Sequence, residues 1–382
     1  MSERNTSEKL QDHWAMDRAA ADELGDRIET FGQTGVIDAV LENLSDEAVR
    51  RRDNNRDAIG KIFRKESDKG LAIIGPCSLD DLTDYTSLFD YIDEMQEEHP
   101  EDVFAVRLND AKPRTSGGWT GLWYSTDPDE RKKIFDVYSQ ALERGIPIMT
   151  EITQTTQLGA LGPMLSGIWL GARDMSSTSL RTMASAIHLP VGVKNGVDGD
   201  LLTIENSVKA IRSSTAQNEG SGVDLGTIAS SHASLGIPTG ILPVGEGNPS
   251  VALIARGYNL PENMPSDQKR IAALGYLSSV FTLGTKLGSA VMIDGTHSVP
   301  PMFDVDRKNP DRIIPVLEEF NNAIRQGELE DAEQLVGIIA EVGPNIGRTD
   351  PNYVLDDDRK AQLAKVMGAT IRLLSTAHPV HQ

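Results

Sequence analysis

The sequence predicts an α/β protein, a (β/α)8 TIM barrel with a helical N-terminal extension and a β-hairpin insertion before the sixth strand. Two observations lead to this fold class. Eight short apolar runs follow Gly70, and most are separated by amphipathic stretches of about 10 to 25 residues, which is typical of repeated βα units around a parallel sheet. The region that holds these runs spans about 310 residues, a length that fits a closed barrel better than an open sheet.

Each predicted strand is a short run of apolar residues, as expected for strands that are buried on both faces of a parallel sheet. In chain order these runs are Leu71–Ile74, Val103–Val106, Pro147–Thr150, Gly167–Gly171, Pro190–Val193, Ser250–Ala255, Ala290–Ile293 and Val336–Ala340.

Two segments depart from this alternation. Residues 1–68 interleave acidic, basic and apolar residues at helical spacing, as in Val36–Ala48 and Asp57–Phe63. Between the fifth and sixth strands, a helix at about Leu201–Ser213 precedes the Gly-rich stretch Val223–Gly247, which predicts the hairpin insertion. We therefore divide the chain into a helical extension, 1–68, for oligomer or regulatory contacts, and a catalytic barrel, 69–382.

The composition excludes several classes of partner and site. The formal net charge is −20, and an acidic surface disfavours nucleic acid and anionic membranes as partners. No apolar run reaches the roughly 18 to 20 residues of a membrane-spanning helix, and the polar start MSERNTSEKLQDHW does not resemble a signal peptide. The single cysteine, Cys77, excludes an internal disulfide framework and a zinc site made of several cysteines. We expect a soluble protein of the cytoplasm.

Chemically active side chains follow every predicted strand. In barrels of this type the active site is built at the C-terminal ends of the strands, so these side chains are expected to share one cleft. In chain order they are Cys77, Arg107 with Lys112 and Arg114, Glu151, Arg173, Lys194, Arg256, His297 and Glu341.

Six of these side chains are cations, and gathering them in one cleft is electrostatically costly unless anions bind there. Arginine offers bidentate contacts to carboxylate or phosphate, and lysine offers a compact charge. The set therefore predicts substrates with several negative charges, such as two phosphorylated small molecules. The alternative is that some of the cations form salt bridges at the barrel rim with Asp110, Asp174 or Asp198.

A second set contains a thiol, an imidazole and carboxylates. Cys77, His297 and Glu341, with Asp350 as a further candidate, suit a divalent transition metal such as Mn, Fe, Co or Zn. The alternative is that the cysteine is a small buried hydrophobic residue and that the histidine is an ordinary hydrogen-bonding residue.

Four stretches of the sequence are familiar. At GPCS, KPRTSGGWTGL, GAR and PVGVKNGVDGD the chain resembles type I 3-deoxy-D-arabino-heptulosonate 7-phosphate (DAHP) synthases, and the resemblance covers about residues 35–375. It implies a homo-oligomeric, metal-dependent barrel enzyme that condenses phosphoenolpyruvate with erythrose 4-phosphate and releases inorganic phosphate. That reaction is the first committed step of the shikimate pathway, which supplies the aromatic amino acids.

The resemblance also implies roles for individual residues. It implies that phosphoenolpyruvate is bound by Arg107, Lys112, Arg173, Lys194 and Arg256, that the phosphate of the aldose is bound by Arg114 and Thr115, and that the metal is bound by Cys77, His297, Glu341 and Asp350. We assign Glu151 to substrate binding as well, and we expect Lys112 and His297 to take part in catalysis. Lys112 is the candidate for proton transfer at the new alkoxide, since neighbouring cations are expected to lower its pKa.

The chain also departs from the family pattern around the substrates. Thr120 stands where the family has lysine in GWKGL, and Asp174–Thr178 replaces a Thr-Thr-Glu-Ser-Gln run. His188 occupies the place of a serine that matters for feedback inhibition, so we expect inhibition by Phe or Tyr to be absent or altered. Two alternatives to DAHP synthesis stay open, namely condensation of phosphoenolpyruvate with a different phosphorylated aldose in a specialised pathway, and a non-catalytic barrel that partners another enzyme.

Overall fold

A computed structural model of the protein describes residues 44–79, 85–112, 120–213, 247–261, 263–297, 299 and 313–341. Most of the predicted N-terminal extension lies outside these ranges. The predicted hairpin insertion also lies outside them, except for Gly247.

Eight parallel strands form a closed barrel in which the strands follow one another in chain order. This confirms the predicted fold class, and the bounds of every predicted strand are met to within two residues. The strands are β1 (Leu71–Gly75), β2 (Val103–Arg107), β3 (Ile148–Ile152), β4 (Gly167–Leu170), β5 (Val191–Lys194), β6 (Val251–Ala255), β7 (Val291–Asp294) and β8 (Leu335–Glu341).

The described helices comprise one that precedes β1 and one in each of the seven connections between strands. They are α1 (Asp46–Phe63), α2 (Thr86–Glu98), α3 (Pro128–Arg144), α4 (Thr155–Leu161), α5 (Thr178–Ala186), α6 (Leu201–Arg212), α7 (Ser266–Leu287) and α8 (Ile313–Arg325). Short 3₁₀ turns at Leu122–Tyr124, Gly162–Met164 and Ala332–Gln334 complete the connections.

Local sequence signals explain several of the helix ends. The side chains of Ser45, Asp127, Ser177 and Asp200 accept hydrogen bonds from backbone N–H groups in the first turns of α1, α3, α5 and α6, which would otherwise lack acceptors. Helix α3 ends at Gly145, whose φ of 80° is accessible to glycine at little cost. Capping residues therefore set where these helices begin and end.

The core has two layers because the side chains of each strand alternate between the two faces of the barrel wall. Outward-facing residues such as Ile74 and Phe104 pack with the surrounding helices, whereas inward-facing residues such as Ile73 and Trp169 fill the barrel interior.

Helix α1 belongs to the inner layer. Its residues Ile59, Ile62 and Phe63 are buried with the first residues of β1 and β2, Leu71 and Val103. The helix therefore covers the N-terminal ends of the strands, and the C-terminal ends remain available for a site.

No helix in the described ranges combines the length and the apolar character needed to cross a membrane. The division of the chain at residue 68 stays a prediction, although α1 lies in the predicted extension and packs into the barrel.

Candidate active site

Buried charged residues gather at the C-terminal ends of the strands. Arg107 is the last residue of β2, Lys194 of β5, Asp294 of β7 and Glu341 of β8, and Glu151 is the next-to-last residue of β3. All five side chains are buried. The strand ends predicted from the sequence therefore do converge.

Glu341 connects three of the predicted site residues through one oxygen. Its Oε1 accepts a hydrogen bond from Arg107 Nη2 at 2.6 Å and lies 3.7 Å from Lys112 Nζ and 3.7 Å from His297 Nε2. Burial disfavours the carboxylate, but the charges of Arg107 and Lys112 outweigh it and hold the pKa of Glu341 far below its usual value. Glu341 is therefore ionised in the folded protein.

Glu151 is held through one oxygen by three donors. Lys112 Nζ, Asn109 Nδ2 and Trp169 Nε1 each lie 3.3 Å from Oε2. Burial disfavours the carboxylate, but the charges of Lys112, Lys194 and Arg107 outweigh it and lower the pKa of Glu151 to about 2. Lys112 thus lies between two carboxylates, those of Glu151 and Glu341.

The expectation of a lowered pKa for Lys112 is wrong. Burial and the charge of Arg107 do favour the neutral amine, but Glu151 and Glu341 outweigh them and raise the pKa of Lys112 above its ordinary value. Burial instead lowers the pKa of Lys194, which lies near Lys112 and Arg107 and is only partly compensated by Asp294, 2.7 Å away.

The three buried cations Arg107, Lys112 and Lys194 are already paired with carboxylates. Their partners, Glu341, Glu151 and Asp294, come from within the barrel mouth rather than from Asp110, Asp174 or Asp198. The buried carboxylates therefore offset much of the electrostatic cost of gathering these cations.

His297 is oriented by Asp294. The ring Nδ1 lies 2.8 Å from Asp294 Oδ2, and Asp294 is a carboxylate because His297 and Lys194 hold its pKa well below the usual range. Nδ1 therefore carries the proton and donates it, which leaves the lone pair of Nε2 directed toward Glu341. Burial lowers the pKa of His297 itself in spite of Asp294 and Glu341, so the imidazole is neutral, as a metal ligand must be.

The donor set therefore fits a divalent metal in its chemistry. Of the predicted ligands, Glu341 ends β8, whereas Cys77 and His297 follow β1 and β7, the two strands that pair with β8. Within the described ranges, no three His, Cys, Asp or Glu side chains are arranged to hold a metal ion. The predicted fourth ligand, Asp350, lies outside those ranges.

Three site residues are held through their backbone by the strand before them. Asn109 Oδ1 accepts from Glu151 N at 3.0 Å, Asn195 Oδ1 accepts from Arg256 N at 2.8 Å, and Thr296 Oγ1 accepts from Glu341 N at 2.9 Å. These three acceptors, and also Asp294 and Trp169, were not predicted from the sequence. For the four polar residues the available signal was their position at the end of, or just after, an apolar strand run; Trp169 offered no such signal.

The other predicted site residues lie in the loops after the strands or outside the described ranges. Arg173 follows β4 and is exposed, and Arg256 follows β6 and is half-buried. The backbone carbonyl of Cys77 accepts from Arg107 Nη1 at 3.1 Å. Arg114 and Thr115, predicted to hold a phosphate, lie outside the described residues, as does Asp350.

A further buried carboxylate, Asp110, supports the segment that leads from β2 to Lys112. Gln157 Nε2 donates to both oxygens of Asp110, at 3.0 and 2.9 Å, and the hydroxyls of Thr150 and Tyr138 lie 3.2 Å from its Oδ1. Burial outweighs these neutral donors and raises the pKa of Asp110 to about 6. This network joins the end of β2 to β3, α3 and α4.

The proteins of known name that resemble this chain share one description, phospho-2-dehydro-3-deoxyheptonate aldolase. The chain is 32% identical over 188 residues to phospho-2-dehydro-3-deoxyheptonate aldolase AMT16 of Alternaria alternata, a match that covers 45% of this chain and 50% of that protein. It is 29% identical over 228 residues to the Tyr-sensitive phospho-2-dehydro-3-deoxyheptonate aldolase of Escherichia coli, covering 56% and 58% of the two chains. The chain thus spans about half the length of the curated relatives it matches.

A solved structure and a family model extend the comparison over most of the chain. The structure of phospho-2-dehydro-3-deoxyheptonate aldolase from Francisella tularensis superposes with a TM-score of 0.63 over 88% of this chain and 96% of that one, at 18% identity, which supports the shared fold. The model of the DAHP synthetase I family matches residues 47–366. The protein therefore belongs to the DAHP synthetase I family.

Proposed function

We propose that the protein is a DAHP synthase, which condenses phosphoenolpyruvate with erythrose 4-phosphate and releases inorganic phosphate. The observation that supports this most directly is the set of ion pairs of Arg107, Lys112 and Lys194 with Glu341, Glu151 and Asp294 at the strand ends of a family member. The same network argues against a non-catalytic barrel, because a barrel without catalysis has no need for so many buried charges.

Each cation has a role that follows from its surroundings. Arg107 and Lys194, joined in the proposal by Arg173 and Arg256, bind the phosphate and carboxylate of phosphoenolpyruvate. When these anions arrive, Glu341 and Asp294 share their cationic partners with the substrate, so the site is organised before binding. Arg114 and Thr115 are proposed to bind the phosphate of the aldose.

Lys112 is proposed as the proton donor to the new alkoxide. Its raised pKa keeps the ammonium group protonated, which suits an acid rather than a base. Its position between Glu151 and Glu341 fixes Nζ at distances of 3.3 and 3.7 Å from the two carboxylates. Holding two anionic substrates beside one fixed acid supplies much of the rate enhancement through positioning.

A divalent metal, Mn, Fe, Co or Zn, is proposed to bind at Cys77, His297, Glu341 and Asp350, in keeping with the metal dependence of the family. Such a metal supplies Lewis-acid activation of the aldehyde or of a water molecule. His297 contributes a neutral Nε2 toward Glu341, and Asp294 keeps the ring in that orientation.

A different phosphorylated aldose is the second candidate acceptor, and Asp174 favours it. Burial and the nearby charge of Glu151 raise the pKa of Asp174 to about 6, although the adjacent Arg173 opposes the shift. A carboxyl group at this place, where the family resemblance leads us to expect threonine, changes the hydrogen-bonding groups offered to a sugar hydroxyl.

The remaining parts of the proposal concern the surroundings of the enzyme. We propose a homodimer or homotetramer in the cytoplasm, with no nucleic-acid or membrane partner, and a role in the shikimate pathway that supplies aromatic amino acids. The net charge of −20 supports the exclusion of polyanionic partners. Residues 1–68 are proposed to carry the oligomer or regulatory contacts, with feedback by Phe or Tyr absent or altered.

Phosphate release from phosphoenolpyruvate, measured with a panel of aldose phosphates, tests the proposal. We expect turnover with erythrose 4-phosphate, its loss after treatment with EDTA and its return with an added divalent metal. Turnover only with another aldose phosphate would select the second candidate, and no turnover with any aldose would reject both.

Metal content provides a test that does not depend on turnover. We expect Cys77→Ala to lose bound metal, as measured by mass spectrometry of the purified protein, while its circular dichroism stays that of the wild type. Normal metal content in this variant would contradict the ligand assignment.

A further inference from the structure

Trp169 is the largest wholly buried side chain of the barrel interior, and it lies against three groups of the candidate site. It belongs to β4, and its indole Nε1 lies 3.3 Å from Glu151 Oε2 on β3. Its ring centroid is 5.4 Å from Lys194 Nζ on β5 and 5.8 Å from Arg107 Cζ on β2. One side chain thus contacts functional groups of three other strands.

The N–H group and the ring face of the indole make different kinds of interaction. The N–H group is a donor without an acceptor function, and inside a barrel closed to water it needs an acceptor, which Glu151 supplies. The face of the ring attracts cations, most strongly where water does not compete. Lys194 and Arg107 are both buried, so the ring is part of what stabilises their charge in the folded protein.

The two oxygens of the Glu151 carboxylate have different surroundings. Oε2 accepts all three described hydrogen bonds of the carboxylate, those from Lys112, Asn109 and Trp169. Oε1 lies beside Gly171, where a Cβ atom would approach it to 2.1 Å, so only a glycine leaves this oxygen its space. The carboxylate is thus anchored through Oε2, while Oε1 occupies the space beside Gly171.

We propose that Trp169 is a positioning residue. It acts through Glu151, Lys194 and Arg107 to hold the anion-binding side chains in place before the substrate binds. The inference rests on the proposed function, because that function defines phosphoenolpyruvate as the anion. The N–H group holds Glu151, and through it Lys112, while the ring attracts the two other cations, Lys194 and Arg107.

The binding of phosphoenolpyruvate, measured by calorimetry without the second substrate, tests this role. Trp169→Phe removes the N–H group and retains an aromatic face, and we expect it to weaken binding about fivefold. Trp123→Phe is the matched control, since it makes the same change at a buried tryptophan of the 3₁₀ turn Leu122–Tyr124, and we expect wild-type affinity.

A double-mutant cycle separates positioning from a general loss of packing. If Trp169 acts through Glu151, then Trp169→Phe weakens binding less than about twofold when it is introduced into Glu151→Gln. An equal fivefold loss in both backgrounds, or wild-type affinity in Trp169→Phe alone, would overturn the proposal.

A variant that keeps Trp169 provides a test in which the proposed positioning residue is unchanged. The chain has four tryptophans, so replacing Trp14, Trp119 and Trp123 by phenylalanine leaves Trp169 as the only tryptophan. We expect its fluorescence to change on titration with phosphoenolpyruvate and to saturate with the calorimetric affinity. Unchanged emission at saturation would contradict a ring in contact with the binding cations.

These outcomes are distinguishable from failure of the proposed function. A protein that binds phosphoenolpyruvate with a Trp169 signal but turns over no aldose phosphate would refute DAHP synthesis and retain the positioning role. Normal turnover in Trp169→Phe, with unchanged affinity for phosphoenolpyruvate, would refute the positioning role and retain DAHP synthesis.

Discussion

Two buried carboxylates at neighbouring strand ends, Glu151 and Asp110, show opposite electrostatic behaviour. Glu151 is in contact with Lys112 and close to two more cations, and its pKa is lowered to about 2. Asp110 accepts four hydrogen bonds from neutral amide and hydroxyl groups, and its pKa is raised to about 6. Depth of burial is similar, so it does not account for the difference.

The comparison shows that the charge of the donors, rather than their number, decides the ionisation of a buried carboxylate here. The full charges of lysine and arginine offset the desolvation free energy of a buried carboxylate, whereas neutral hydrogen-bond donors offset only part of it. The region around Glu151 is therefore a charged cluster suited to anionic substrates, whereas the Asp110 network is built from neutral donors and joins the end of β2 to β3, α3 and α4.

Replacing Lys112 should produce the largest effect, because this residue is the acid of the proposed reaction and the main partner of Glu151. We expect Lys112→Met to lower kcat about 1,000-fold, as measured by phosphate release. Lys132→Met, at an exposed position of α3, is the control and should keep wild-type activity. A kcat within tenfold of wild type in Lys112→Met would exclude it as the acid.

Removing the charge of Glu151 should have the next largest effect, this time on stability. Glu151→Gln leaves Lys112, Lys194 and Arg107 with one carboxylate fewer in a buried cluster, and we expect the free energy of unfolding at pH 7 to fall by about 3 to 5 kcal/mol. Urea denaturation measures this loss. Wild-type stability would mean that the cations do not depend on Glu151.

The pH dependence of stability should have opposite signs at the two carboxylates. Folded Asp110 keeps its proton up to about pH 6, whereas in the unfolded chain it loses the proton near its ordinary pKa of 3.8. The folded state therefore binds more protons in this window, and this residue makes stability fall as pH rises through it, by about 2 to 3 kcal/mol in total. Glu151 acts in reverse, because its contribution is present above its ordinary pKa of 4.5 and is lost as pH falls toward 2.

The variant Asp110→Asn isolates the contribution of Asp110 to the pH dependence of stability. We expect the stability difference between wild type and Asp110→Asn to shrink as pH rises from 4 to 7, as measured by urea denaturation at each pH. Parallel curves for the two proteins would show that Asp110 does not titrate in this range.

Replacing an exposed carboxylate, Asp90, should have the smallest effect on the free energy of unfolding. Asp90 lies 2.6 Å from Arg144 Nη1, but half of its side chain is exposed to water. Asp90→Asn, the same chemical change as in Asp110→Asn, should alter the free energy of unfolding by less than about 0.5 kcal/mol. A larger loss would mean that exposed pairs matter as much as buried ones in this protein.

The eight strands could be predicted because a parallel barrel buries both faces of each strand, which leaves a continuous apolar run such as Val103–Val106 in the sequence. The charged residues at the ends of these runs were predicted by the same logic. Arg107 and Lys112 do meet Glu341, whereas Lys194 pairs with Asp294.

The partners of these residues could not be predicted from the sequence. The raised pKa of Lys112 depends on Glu151 and Glu341, which are 39 and 229 residues away along the chain and whose side-chain directions a linear pattern does not contain. Asn109, Asn195 and Thr296 act through backbone groups of the next strand, a relation that appears only when the strands are paired. Trp169 reads as one more apolar strand residue until its ring is seen beneath the cations.

The packing of α1 sets a limit for protein engineering. Its Ile59, Ile62 and Phe63 form part of the barrel interior, and Arg56 donates to the carbonyls of Gly162 and Leu165 just before β4. A shortened chain that began at residue 64 would open the floor of the barrel to water and leave those carbonyls without their donor. Truncated or fused versions of this protein therefore need to keep α1 together with its cap, Ser45, even where only the catalytic end is of interest.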